Sequence, residues 1–430
     1  MSDWPSRDRD AVWHPFTAIT HDSENIAIER AEGVWLFAKD GKRYMDAISS
    51  WWVNLHGHAH PYIAKCVAEQ AVRLEHVMFA GFTHQPAVEL ATRLLKHFPA
   101  QYSKVFYSDN GSTAVEVALK MAFQYWFNDD TPRKRVIALE NGYHGDTLGA
   151  MAVGGRGVFS EPFEPFLFEV DFVPTPVLGM EDEALLRLET LLKMGDVAAF
   201  IFEPLVQGTA GMVVYSAEVL DKMMALCKQY GVLTIADEVM TGFGRTGTLF
   251  ATDQCTTKPD LTCLSKGITG GFLPMGVTIC TDAIYKAFWL RDDAKGRLRT
   301  FLHGHSYTAN PMSCAAAVAS LDLLEKDETW SNIRRIAMRH LTFAAEAKLL
   351  NGVADVRQKG VILAIEYHTT QHSGYFNSLR DALYAHFMER GIVLRPLGNI
   401  IYILPPYCIT DAELELIYTA IRQFDHEKHR

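Results

Sequence analysis

A lysine that sits just past a buried strand and under a glycine-rich lip can work as a nucleophilic amine, and Lys266 has that setting. The run Leu261-Thr-Cys-Leu264 is short and apolar, as a buried strand is, and it stops at Ser265-Lys266-Gly267. Glycines at 267, 270 and 271 leave room for a ligand against the backbone. Desolvation favours the neutral form of a lysine, and a neutral amine can attack a carbonyl to form a Schiff base. Taken alone, the stretch fits a solvated loop lysine better, since most lysines are exposed.

Three further groups shift that balance. Asp237 closes the apolar run Val232-Leu-Thr-Ile-Ala236, so it is expected to be desolvated and to need a cationic or N–H partner. By itself it could equally be a capping or salt-bridged aspartate. Ser108-Asp-Asn-Gly-Ser-Thr113 enters a helix and offers free N–H groups, hydroxyls and a positive dipole end, a cup for phosphate at Gly111 and Ser112. Serine and threonine also cap helices routinely. Tyr143-His144, in a glycine-flanked turn, either faces a planar ligand or packs on the core. Read together, the groups describe a planar cofactor with a phosphate, a ring nitrogen needing a proton and an aldehyde. Pyridoxal phosphate has those handles, and proteins hold it by a lysine Schiff base with an aspartate on the pyridinium nitrogen.

The elements that must position these residues read as a parallel α/β fold. Strands are expected at 104–107, 136–139, 197–202, 232–236 and 261–264, with helices at 87–97, 113–127 and 217–230 between them. Thr113 and Glu116 have capping-box spacing at the start of the second helix. The polar candidates follow the carboxyl ends of the strands, where open α/β sheets bind ligands. Upstream, 1–25 reads as an irregular arm, Asp40-Gly41 as a hairpin turn, and 62–76 as an amphipathic helix. Beyond a helix at 311–325 the pattern becomes α+β: helix 330–350, a strand pair in 353–367, helix 377–390, strands near 392–396 and 400–404, and helix 411–426. The expected organisation is an arm and hairpin (1–60) belonging to a small domain, a large cofactor-binding domain (61–320) and a C-terminal small domain (321–430).

His56, His58 and His60 alternate, so on a strand they would share one face as metal ligands do. Gly57 and Pro61 favour a turn instead, and no metal is expected. The 430 residues, 48% hydrophobic and 21% charged, are those of an ordinary globular chain. A net charge of -10 argues against nucleic acid or an anionic membrane surface. Seven scattered cysteines with no Cys-x-x-Cys pair suggest neither a zinc module nor a disulfide framework. The charged start lacks an apolar core, so no secretory signal is expected and the cytoplasm is the expected compartment.

Asp237-Glu-Val-Met-Thr-Gly-Phe-Gly-Arg-Thr-Gly247, followed by Leu264-Ser-Lys-Gly-Ile-Thr-Gly-Gly271 with Lys266 29 residues after Asp237, resembles the class-III aminotransferases of pyridoxal-phosphate fold type I. The resemblance spans nearly the whole chain. Trp13-His-Pro-Phe-Thr17, Ser49-Ser-Trp-Trp52, Gly142-Tyr-His-Gly-Asp-Thr147 and Leu394-Arg-Pro-Leu-Gly398 are similar to the members that move an amino group from S-adenosylmethionine to 8-amino-7-oxononanoate in biotin biosynthesis. It implies that Lys266 carries the cofactor and shuttles the proton, and that Asp237 protonates the ring nitrogen. Gly111 and Ser112 hold the phosphate, Tyr143 lies by ring and substrate, and Glu203 is a carboxylate near the cofactor. Trp51 lines the substrate pocket, and Arg395 takes the carboxylate of the oxo-acid, for which a guanidinium fork is suited. Gly304, His305 and Ser306 match a segment that crosses a homodimer to the partner's phosphate.

Two positions depart from the best-known members. Phe16 stands where many have a tyrosine that stacks on adenine, and His305-Ser306 stands where many have Pro-Thr. Phe16 and the Gly-His-Ser-Tyr-Thr run also resemble relatives that use lysine as donor, whereas the tryptophan pair 51–52 favours adenosylmethionine. Another class-III ω-aminotransferase, a non-transaminating pyridoxal enzyme and a non-catalytic binding protein are the remaining alternatives.

Overall fold

The computed structural model describes residues 4–17, 25–289, 298–371, 373–374 and 377–428. Its centre is a seven-stranded sheet in the order Tyr102–Ser108, Gly276–Thr281, Leu261–Leu264, Leu233–Asp237, Val197–Phe202, Arg135–Leu139, Asp171–Val173. Gly276–Thr281 is antiparallel to both of its neighbours, and the remaining pairings are parallel. Every residue of Val197–Phe202 and Leu261–Leu264 is buried. A strand covered on both faces by helices has no solvent side, which is why these runs are apolar without alternation. Burial of each large side chain contributes about 1.5–3 kcal/mol.

Helix Gly111–Asn128 packs on the central strands and begins earlier than its sequence pattern suggested. Its N-cap is Asn110, whose side chain accepts from Thr113 N at 2.9 Å, while Thr113 Oγ1 accepts from Asn110 N at 3.2 Å. The expected Thr113–Glu116 box is therefore replaced by an Asn110–Thr113 box, which puts Gly111 and Ser112 in the first turn. Glu116 instead reaches across to the next element. Its Oε1 accepts from Gly149 N at 2.8 Å and Ala150 N at 3.1 Å, capping the short helix Leu148–Ala152.

The hairpin around Asp40-Gly41 is formed by Trp35–Ala38 and Arg43–Asp46. With Ile28–Glu32 on one side and Ile392–Val393 on the other, it makes a four-stranded sheet that joins the two ends of the chain. Val353–Lys359, Ile362–Tyr367 and Ile400–Ile403 form a separate antiparallel sheet, backed by helices Asp327–Ala347 and Asp411–Lys428. The expected irregular arm contains a helix, Trp4–Ala11; its residues 1–3 and 18–24 lie outside the described part. Residues 56–60 form a turn rather than a strand, and their histidines do not converge. His56 Nε2 pairs with Ser320 Oγ at 3.2 Å and His58 Nε2 with Asp46 Oδ2 at 2.8 Å. Among the described residues no group of three or more His, Cys, Asp and Glu side chains is disposed to hold a metal, and no helix is long and apolar enough to cross a membrane.

Candidate active site

The carboxyl ends of five parallel strands open into one cavity of about 700 Å³. Its lining includes Gly111 and Ser112 after Ser108, Tyr143 after Leu139, Glu203 after Phe202, Asp237, and Lys266 after Leu264. Residues spread over more than 150 positions of sequence are thus gathered by a topology whose strand ends all point the same way.

Lys266 begins a single turn of tight helix, Lys266–Thr269, with φ +42°, a backbone state unfavourable for a residue with a side chain. The turn ends on Gly270 at φ +62°, where a glycine is at ease. The Lys266 Nζ lies 4.2 Å from the centroid of the Trp52 ring. Burial lowers its pKa from 10.5 to about 8, against the opposing pull of the Asp237 and Glu203 carboxylates. The amine is thereby brought within reach of its neutral, nucleophilic form near physiological pH.

Asp237 finds the N–H partners that its burial required. His144 Nδ1 stands 2.7 Å from Oδ2, and Val239 N donates to Oδ1 at 3.0 Å. Both oxygens are held as acceptors, and the carboxylate faces the cavity. Glu203 accepts from Tyr143 N at 2.9 Å and from Gly208 N at 3.0 Å, which ties the aromatic turn to the strand end. Burial pushes its carboxyl up to about 7 despite the nearby His144. Burial and Asp146 raise the Tyr143 hydroxyl well above its ordinary value, so that side chain stays a neutral phenol.

In the same cavity the first-turn N–H groups of helix Gly111–Asn128 have no intrahelical acceptors. Ser112 Oγ accepts from Thr147 N at 3.0 Å and lies 2.7 Å from Thr147 Oγ1. A Cβ at Gly111 would come within 2.6 Å of Val239 Cγ1, so a side chain there would have to displace Val239. An anion cradle, a buried carboxylate and a desolvated amine therefore share one cavity, and these match the phosphate, ring nitrogen and aldehyde of pyridoxal phosphate.

Phe16, Trp51 and Arg395 form a second cluster, and none of the three is among the residues lining that cavity. Arg395 Nη2 donates to Phe16 O at 3.0 Å and the guanidinium lies 4.5 Å above the Trp51 ring. Phe16 meets Trp51 edge-on at 5.2 Å. The adjacent Trp52 lines the cavity itself, so the tryptophan pair spans both sites. Gly304, His305 and Ser306 join neither cluster; His305 N donates to Thr308 Oγ1 at 3.0 Å in a local turn.

Sequence reasoning did not single out His144 as the Asp237 partner, nor Trp52 over Lys266, nor Thr147 on Ser112. The motif Gly142-Tyr-His-Gly-Asp-Thr147 contains two of them, but their contacts cross the fold. Nothing local identifies them.

The class-III aminotransferase family model matches residues 17–424. A protein of Synechococcus elongatus named adenosylmethionine-8-amino-7-oxononanoate aminotransferase is 47% identical over 95% of this chain and 97% of its own length. The crystal structure of the protein of that name from Methanocaldococcus jannaschii superposes with a TM-score of 0.93 at 35% identity, covering 99% of this chain and 98% of the other. An amine transaminase from an uncultivated Pseudomonas species, solved in its PLP-bound form, gives 0.91 at 30% identity over 97% and 98%. A match over nearly the whole chain, with an amine, a buried carboxylate and an anion cradle in one cavity, makes this chain a member of the class-III aminotransferases.

Proposed function

We propose that the chain is an adenosylmethionine-8-amino-7-oxononanoate aminotransferase, which moves an amino group from S-adenosylmethionine to 8-amino-7-oxononanoate to give 7,8-diaminononanoate for biotin synthesis. Its cofactor is pyridoxal phosphate. The observation that carries the reading is Lys266, an amine brought to about 8, opening from one strand end while Asp237 closes the adjacent one. The relatives named for that reaction supply the substrates.

Bound pyridoxal phosphate supplies an electron sink for the charge left when a substrate amine loses its α-proton. The chain's own residues do the rest. Lys266 holds the cofactor through Nζ in the resting enzyme. Once freed, the same nitrogen takes the α-proton of the donor, and in the second half-reaction it returns a proton to the former oxo carbon of the acceptor. Asp237, whose oxygens already meet His144 Nδ1 and Val239 N, would take the hydrogen bond of the protonated ring nitrogen. Gly111 and Ser112 would present backbone N–H groups to the phosphate, and Tyr143 would meet the ring and substrate. Glu203 fixes the Tyr143 turn. Arg395 pairs with the oxo-acid carboxylate beside Trp51 and Phe16.

The segment Gly304-His-Ser306 acts across a homodimer, on the phosphate of the partner's cofactor; its place outside this chain's own cavity supports that reading. The sheet shared by 28–46 and 392–393 supports an arm and hairpin (1–60) that belong with 321–430 in a small domain, beside a large domain at 61–320. The free cysteines fit a reducing compartment, the cytoplasm. Phe16 lacks the hydroxyl of the common tyrosine, and this favours lysine as the alternative donor. The test is to incubate the protein with pyridoxal phosphate, S-adenosylmethionine and 8-amino-7-oxononanoate and to look for 7,8-diaminononanoate by mass spectrometry. Its formation is expected; its absence with adenosylmethionine and with lysine would end the proposal.

A further inference from the structure

Ser49, Ser50, Trp51 and Trp52 carry φ values of 52°, 45°, 73° and 76°, and none is glycine. Each such residue is disfavoured by the clash of its Cβ with the backbone. A left-handed turn of this length persists only where its surroundings over-determine it. Here the turn bears two tryptophans, Trp52 against Lys266 and Trp51 against Arg395.

The residue that organises the turn is Asp46, which is wholly buried. Its Oδ1 accepts from Ile48 N at 3.1 Å, and its Oδ2 accepts from Ser50 Oγ at 3.0 Å. Its other partner is His58, whose Nε2 lies 2.8 Å from the same Oδ2. On the far edge of that ring, Nδ1 lies 3.1 Å from the Asn54 side chain. With the Asn54 oxygen facing His58, the Asn54 nitrogen donates to Gly270 O at 3.0 Å and Gly57 O at 3.2 Å. Gly270 ends the tight turn that starts at Lys266. One run of contacts therefore links the tryptophan turn, through Asp46, His58 and Asn54, to the backbone that carries the amine. Neither Asp46 nor His58 lines the cavity.

We propose that Asp46 and His58 are a positioning pair that locks the left-handed turn Ser49–Trp52, and so sets Trp52 over Lys266 and Trp51 against Arg395. Toward the oxo-acid carboxylate the pair acts through Trp51, which braces Arg395. This rests on the reading of the pocket as the transamination site.

A double-mutant cycle on the cofactor-loaded enzyme tests it. Asp46→Asn is expected to raise KM for 8-amino-7-oxononanoate about tenfold, while in a Trp51→Ala background the same change moves KM less than about twofold. Pyridoxal phosphate is taken up at wild-type stoichiometry throughout. An unchanged KM in the first background, or the same factor in both, overturns the proposal. If Asp46→Asn does not fold, His58→Gln runs the same cycle with the same outcomes. If the wild-type enzyme converts none of these substrates, the functional reading fails on its own. The pair is then read from the near-ultraviolet circular dichroism of the cofactor-free protein. Asp46→Asn is expected to lose part of the tryptophan signal with the far-ultraviolet spectrum intact, and an unchanged tryptophan signal overturns it.

Discussion

His144 Nδ1 stands 2.7 Å from Asp237 Oδ2, with both side chains almost entirely buried. The contact holds one carboxylate oxygen while Asp237 lines the cavity. Asp237→Asn removes the carboxylate that would meet the cofactor's ring nitrogen and is expected to lower turnover about 10²–10³-fold. His144→Gln keeps the carboxylate but loosens its aim, with an expected loss of about tenfold. Steady-state assays of the two variants, run together, check the order. A His144 variant as impaired as Asp237→Asn would contradict it.

Lys266 also leaves a thermodynamic trace in the cofactor-free protein. Its folded pKa, about 8, lies below the ordinary 10.5, so between those values the unfolded chain binds more protons than the folded one. Stability from this group therefore rises with pH across that window, and below it the buried charge is a standing cost. Lys266→Met is expected to raise Tm at pH 7 by about 1–3 °C, with the gain shrinking toward pH 10. Thermal melts at several pH values check the sign.

The phosphate cradle makes a steric prediction. A methyl group at Gly111 would meet Val239 Cγ1 at 2.6 Å. Gly111→Ala is expected to weaken pyridoxal phosphate binding about tenfold through small shifts of the helix start. Adding Val239→Ala should restore part of the loss. Titration of the cofactor by its visible absorbance measures both steps.

Read as the partner of the oxo-acid carboxylate, Arg395 separates the two half-reactions. Its guanidinium is braced by Trp51 and the Phe16 carbonyl, set to meet a carboxylate. Arg395→Met is expected to raise KM for the oxo-acid roughly 10–100-fold, the loss of a charge-assisted bidentate contact. The reaction with the donor alone should change little, and rapid-mixing measurements of each half distinguish them.

Much of this was legible in the sequence because buried parallel strands write themselves as apolar runs. Leu261–Leu264 and Val197–Phe202 keep the boundaries their apolar runs suggest, and the residues after them line the cavity. Gly276–Thr281 was not expected. It follows the glycine- and proline-bearing segment 270–274, and its place between Tyr102–Ser108 and Leu261–Leu264 is set by pairing alone. Ile28–Glu32 is mostly exposed and has no apolar alternation to reveal it. The left-handed turn at Ser49–Trp52 contains no glycine, the usual sign of positive φ, because Asp46 and its neighbours impose it from outside. The His144–Asp237 contact spans 93 positions, and only the sheet order brings the two together.

The donor decides the central claim. The protein loaded with pyridoxal phosphate is mixed with S-adenosylmethionine in one vessel and with lysine in another, and the visible absorbance of the bound cofactor is followed. Stoichiometric bleaching by adenosylmethionine, with none by lysine and none in Lys266→Ala with either, is the expected result. Bleaching by lysine alone, or the same response in Lys266→Ala, would contradict it.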